Sequence, residues 1–173
     1  MTERVDAAAA FDDEEALWRF SLAVYSAPGV AERLIELQDR YGLDVNLALF
    51  AAWLGWSGRG RASRALLERA ETAIAPWRRA VVEPLRGVRR ALKAREDVEG
   101  AAALREAVKR AELDAERAAQ KQLVRLLPGD ARTAPESPGE SDAAANLRLY
   151  CELLKVPTER LDFIAFVLPP AGS

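Results

Sequence analysis

The chain of 173 residues contains no histidine. Histidine is the commonest general base near neutral pH and a frequent metal ligand. Its absence excludes serine–histidine and cysteine–histidine nucleophile pairs, most zinc sites and the Glu-x-x-His di-iron pattern of helical bundles. The single cysteine, Cys151, excludes an intramolecular disulfide and fits a reducing compartment. In its apolar helical context it reads as a small core residue rather than a nucleophile. Aromatic residues are few, at 7%, and β-branched residues are sparse beside alanine, a balance that favours helices over strands. No apolar run reaches the roughly 20 residues of a bilayer crossing. The opening MTERVDAAAAFDDEE has neither the basic nor the apolar region of a secretory signal. These absences set the expectation of a soluble, cytoplasmic protein with no catalytic residues, metal or cofactor of a recognisable kind.

What is present is a helical domain. Half of the residues are hydrophobic, enough for one domain with a real core. The stretch Asp44 to Gly58, DVNLALFAAWLGWSG, organises the rest. Asp44 is a good N-cap for the helix that follows. From Val45 to Trp56 every residue but Asn46 is apolar or glycine, and Leu47, Leu49, Phe50, Trp53, Leu54 and Trp56 point to all sides of the helical wheel. A helix that is apolar all round is buried. Gly55 and Gly58 offer its stop. Asn46 has two readings: it satisfies local backbone groups at the helix start, or with Asp44 it projects into a pocket beside Trp53.

Around this centre we expect a single all-α bundle of six or seven helices. Residues 1–11 read as a flexible N-terminus, 12–127 as the helical core, 128–142 as a flexible acidic Pro/Gly/Ser linker, 143–168 as C-terminal helices and 169–173 as a tail. Asp12 or Asp13 can cap a first helix to about Tyr25. Pro28 starts a second, with Val30, Leu34, Ile35 and Leu37 inward, and Gly42 ends it. The loop SGRGRAS, 57–63, has glycines and arginines but no P-loop spacing. Residues 62–95 are helical, with Ala75 and Pro76 marking a kink or break. Beyond it, Trp77, Val81, Leu85, Val88 and Leu92 form an apolar stripe. A long helix spans about 99–127, with Leu104, Val108, Ala111, Ala115, Ala118 and Ala119 on one face. Its Glu112 and Glu116 are four apart, the spacing of ordinary helical ion pairs with Arg105, Lys109 or Arg110. Asn146 to Lys155 and 159–168 are the last two helices.

Charge is segregated. Residues 1–44 carry a net −6, residues 59–95 a net +8 and residues 96–173 a net −4. The basic segment concentrates on one helix, opposite its apolar stripe: Arg79, Arg86, Arg90 and Lys93, with Arg89 on a flank. It can pair with the acidic segments inside the fold, stand in solvent, or receive an anion.

Two blocks, LWRFSLAVYSAPGVAERLIELQDRYGLDVNLALFAAWLG at 17–55 and WRRAVVEPLRGVRRALK at 77–93, resemble an uncharacterised proteobacterial family of small helical proteins catalogued as a domain of unknown function. The resemblance implies a helical fold and brings no activity, cofactor or partner with it.

The leading functional expectation is a non-enzymatic binding or adaptor module whose basic face, Arg79, Arg86, Arg89, Arg90 and Lys93, meets an anionic partner, such as an acidic protein surface. The alternative is a phosphate- or carboxylate-binding pocket, possibly enzymatic, between the helices starting at Asp44 and Trp77, using Asp44, Asn46, Trp53, Trp77 and arginines. Nucleic-acid binding by the same face is the weaker expectation, because net charge and aromatic content are both low.

Overall fold

Residues 2–127 and 140–157 are described by the computed structural model, and among them there is no strand. The helices are α1 (Thr2–Ser26), α2 (Val30–Tyr41), α3 (Val45–Trp56), α4 (Arg64–Trp77), α5 (Glu83–Lys93), α6 (Ala101–Val124) and α7 (Glu140–Leu153), with a π-helical turn at Arg78–Val82 joining α4 to α5. The fold is an all-α bundle. The helix expected from Asp12 or Asp13 starts at Thr2 instead, as the strong helix preference of the Ala7–Ala10 run allows. Asp13 pairs with Arg59 rather than capping. Residues 128–139 of the expected linker, the last expected helix and the tail lie outside the described residues.

α3 is the buried centre. Every residue from Val45 to Gly55 is buried, as the all-round apolar wheel requires. Asp44 caps it, its carboxylate accepting from the Leu47 N–H at 3.0 Å. The helix ends at Trp56, as expected, with Gly58 just beyond it at a positive φ of 78°; Gly55 is where α7 crosses. A β-carbon there would overlap the backbone of Asp142 and Ala143. α7 packs more extensively on α3 than any other pair of helices does, and runs antiparallel to it. Near the start of α7, the fully buried Asn146 donates to the carbonyls of Ala51 at 3.1 Å and Gly60 at 3.0 Å, and accepts from the Ala62 N–H at 2.8 Å. Farther along, the Tyr150 hydroxyl accepts from the Asp44 N–H at 3.0 Å. The loop after α3 is therefore a structural tie. Its Arg59 lies 4.3 Å from the Trp53 ring centroid.

α2 ends at Gly42, whose positive φ of 71° and N–H to Gln38 carbonyl bond close the helix, a conformation glycine adopts without a β-carbon clash. Val30, Leu34 and Leu37 face the core as expected, but Ile35 is exposed.

The expected break at Pro76 does not occur. α4 passes through it, and a π turn follows, in which the Glu83 N–H reaches back five residues to the Arg78 carbonyl. Widening there relieves the clash between the Pro84 ring and the carbonyl four residues earlier. The extra residue in the turn rotates the following face by about 100°. Val82 is consequently the buried residue, Val88 is 47% exposed and α5 buries no side chain fully. The expected stripe Trp77–Val81–Leu85–Val88–Leu92 is corrected to an inward face of Val82, Leu85, Arg86, Arg89 and Leu92. The expected α6 face holds at Ala115 and Ala119 and is corrected at Leu104 and Ala111, which are exposed. Leu104 is 53% exposed, and Glu112, Ala115, Ala119, Gln120, Leu123 and Val124 are buried.

Cys151 is fully buried, and burial pushes its thiol from 9.0 up to about 12. Burial, followed by the nearby Asp44 carboxylate, also raises the Tyr150 hydroxyl. A group whose folded pKa is raised contributes its full stability below the unfolded value and loses it as pH climbs toward the folded one. Stability should therefore fall between about pH 9 and pH 12. Urea denaturation at stepped pH should show a shallower fall for Cys151→Ala; an unchanged slope would refute the assignment.

Candidate functional site

α1 carries two apolar stripes. Leu17, Phe20 and Val24 enter the core, while Trp18, Leu22 and Tyr25, at spacings of four and three, turn toward α6 and line a cavity. α1 and α6 run antiparallel, held by Arg117 to Glu15 at 2.5 Å and by Arg125 and Lys121 to Glu14 at 3.2 and 3.5 Å. Arg117 also sits 5.4 Å from the Trp18 ring centroid. α5 lies against α6, and beneath the pair is the start of α3.

Two cavities flank Arg86 and Arg90, and Gln38, Val45 and Asn46 line both. The first, about 490 Å³, lies where the sequence places a pocket, between Asp44 and the helix after Trp77. Its charges are matched, with Arg78, Arg86 and Arg90 facing Asp39, Asp44 and Glu83. Arg78 is the most engaged. It donates to Asp44 at 2.9 Å and to Glu71 at 2.5 and 3.1 Å, and lies 3.8 Å from Glu83. Those bonds, Glu71 foremost, raise its pKa and keep it charged.

The second cavity, about 320 Å³, lies between α1, α2, α5 and α6. Its walls are Trp18, Leu22, Tyr25, Ile35, Leu49 and Leu113, and five cations reach it against two carboxylates: Arg86, Arg89, Arg90, Arg105 and Lys109 against Glu112 and Glu116. Arg86 donates to Glu112 at 3.2 Å and to Glu116 at 2.9 Å, and Arg89 donates to Glu112 at 2.5 and 3.3 Å. Burial works against the Arg86 charge, but the two glutamates more than offset it. Burial raises the Glu116 carboxyl, partly countered by Arg86. Burial and then Glu116 raise the Tyr25 hydroxyl. At the cavity's edges, Arg90 is 3.6 Å from Asp39 and Lys109 is 3.8 Å from Glu106, both exposed pairs of little energetic weight. The Arg105 Nε is shielded from solvent and has no hydrogen-bond partner among the described residues.

The residues singled out from sequence therefore disperse. Asp44, Asn46, Arg86 and Arg90 line the first cavity; Asn46, Arg86, Arg89 and Arg90 line the second. Trp53 and Trp77 line neither. Trp53 is core, and the Trp77 indole N–H donates to the Ala115 carbonyl at 2.9 Å. Arg79 is exposed, its Nε donating back to the Ala75 carbonyl at 3.2 Å, and Lys93 is exposed. Asn46 does not face Trp53; its Oδ1 accepts from Gln120 Nε2 at 3.1 Å. The expected helical pairs of Glu112 and Glu116 are replaced by pairs across to α5. Sequence reasoning missed Arg105, Lys109, Leu113 and Gln120. Their shared face on α6, at intervals of four, four and seven, was the available signal. No group of three potential metal ligands occurs among the described residues.

Removing Glu112 should cost stability. Breaking a buried pair typically costs ~3–5 kcal/mol; here Arg86 keeps Glu116 and Arg89 keeps solvent, so Glu112→Gln should destabilise by about 2 kcal/mol. Chemical denaturation checks this.

Residues 16–123 match the family described as a protein of unknown function, DUF2390, and the chain belongs to that family. No curated protein and no solved structure matches it.

Proposed function

We propose that this member of the DUF2390 family is a non-enzymatic, cytoplasmic binding protein for an organic anion, received in the chamber between α1, α2, α5 and α6. The observation that carries the reading is the charge imbalance there: five cations face two carboxylates inside an apolar-walled cavity. Low-dielectric walls focus such a field on an entering anion, and arginine recognises carboxylate and phosphate with paired hydrogen bonds. The volume falls at the small end of ligand sites, which run from about 300 Å³. The neighbouring cavity is larger but its charges are already matched, so it has less to offer an anion. The buried, unbridged Cys151 supports a reducing cytoplasm. No helix among the described residues is long and apolar enough to cross a membrane.

A thermal-shift series tests the proposal. Aliphatic carboxylates and phosphates should raise the melting temperature by mass action, uncharged alcohols of equal length should not, and salt should weaken the effect. Arg105→Ala combined with Lys109→Ala should weaken binding by about tenfold or more, since each charge-assisted bond contributes ~1.5–3 kcal/mol. Equal shifts from the alcohols would count against the reading. Glu112→Gln should move stability and anion affinity in opposite directions, lowering the first and raising the second.

A second reading, docking of an acidic protein surface, is favoured by the exposed Val88, Val98 and Leu104 on the α5–α6 hairpin, which also bears Lys93. Lys93→Glu with Arg79→Glu probes that surface without touching either cavity. Loss of a partner with small-anion shifts intact would favour it.

A further inference from the structure

The chamber has two unlike ends. One face of α6, from Arg105 through Lys109, Glu112, Leu113 and Glu116 to Gln120, runs its whole length. At 1.5 Å per residue that face measures roughly 22 Å. The site is a half-open groove of about 320 Å³ along that face, long enough to take an extended chain.

The inner end is polar and closed. Gln120 is 2% exposed. Its Nε2 donates to Ser21 Oγ at 2.9 Å and to Asn46 Oδ1 at 3.1 Å, which fixes the amide so that Oε1 is turned away from both. That oxygen is buried and has no hydrogen-bond partner among the described residues. Buried acceptors in folded proteins are almost always satisfied, so this one calls for a donor. Ser21 cannot supply it, because its hydroxyl already donates to the Leu17 carbonyl at 2.9 Å. The outer end is cationic, with Arg105 and Lys109, and the Arg105 Nε is an unmatched donor. Between the ends stand Leu22, Tyr25, Ile35 and Leu113, each a large apolar side chain left exposed.

We infer that the ligand is an extended aliphatic anion, with a carboxylate or phosphate at the Arg105 end and a hydrogen-bond donor, a hydroxyl or an amide N–H, at the Gln120 end. This rests on the anion-binding reading and adds length, polarity and direction to it. Glu112 and Glu116 stay bound to Arg86 and Arg89 along the wall, so the anion goes to the cations they leave over. A site shaped to bond a hydroxyl rejects the analogue lacking it, because its own polar group is then left buried and unpaired.

The test is calorimetric titration of the full chain with hexadecanoate, 16-hydroxyhexadecanoate and the phosphate monoester of hexadecane-1,16-diol, all below their micellar concentrations. The two hydroxylated chains should bind about tenfold tighter than hexadecanoate, the difference one hydrogen bond makes; their ranking against each other identifies the head group. Gln120→Met should abolish the preference while retaining hexadecanoate binding, and Arg105→Ala should weaken all three. Equal affinity for hexadecanoate and its hydroxylated form in the unmodified protein overturns the inference without recourse to any variant, as does a preference that survives Gln120→Met. Binding of inorganic phosphate through Arg105 with no binding of the long chains overturns the inference and leaves the anion reading standing. Absence of binding by any anion overturns both.

Discussion

Gly55→Ala should unseat α7 and destabilise the protein by about 3 kcal/mol, at the upper end of overpacking costs. In an ordinary helix interior the same change stabilises by roughly 1 kcal/mol, so the sign alone is informative. The reason is the neighbour. The added methyl meets the backbone of Asp142 and Ala143, and backbone cannot rotate aside as a side chain does. Relief requires α7 to move, which pulls Asn146 from the Ala51 and Gly60 carbonyls and from the Ala62 N–H. Hydrogen exchange should locate the damage, with protection lost first in α7 and last in the centre of α3. A stable Gly55→Ala protein with protected α7 amides would refute this crossing.

Asp44→Ala should cost about 2–4 kcal/mol, combining a lost cap of roughly 1 kcal/mol with the orphaning of buried groups. Asp44 is buried and serves three helices. Its carboxylate caps α3 and receives Arg78 from the turn after α4, while its N–H binds Tyr150 of α7. Arg78 is not orphaned by the change because Glu71 still holds it, which keeps the cost below that of a fully stripped buried ion. Asp44→Asn preserves the cap and loses only charge, so it should cost about half as much. Equal costs for the two variants would mean that the ion pair, not the cap, dominates.

The core was legible because its signal is local. Val45 to Trp56 offers one polar side chain in twelve residues, and a helix of that composition has nowhere to go but inside. Asp44 as cap, Gly42 as stop and Cys151 as filler follow from chemistry within a turn of each residue. The site was less legible, for two physical reasons. The π turn inserts a residue that a uniform wheel does not contain, so the α5 face was read partly out of phase: Leu85 and Leu92 stay inward, Val88 turns out, and Val82, Arg86 and Arg89 turn in. Arg86, placed opposite the stripe, and Arg89, placed on its flank, in fact face α6. Long-range polar pairing was the second obstacle. Asn46, Gln120 and Asn146 are all buried, each with partners more than 70 residues away in the chain. No short-range pattern announces such bonds. The charge blocks did carry information. The basic segment pairs with acids from both sides of it, Asp39 and Asp44 before and Glu112 and Glu116 after, and the two cavity cations outside those pairs, Arg105 and Lys109, come from the net-acidic third segment.

Trp18 lines the chamber, whereas Trp53, Trp56 and Trp77 do not, and this provides the most direct measurement. Trp56 and Trp77 can be replaced by phenylalanine, leaving buried Trp53 as a constant background. Titration with a long-chain carboxylate, followed by tryptophan emission, should then give a saturable change from Trp18. Its midpoint should shift to higher concentration with added salt and with Arg105→Ala. Emission that stays flat while the same ligand raises the melting temperature would place the anion elsewhere and contradict the account.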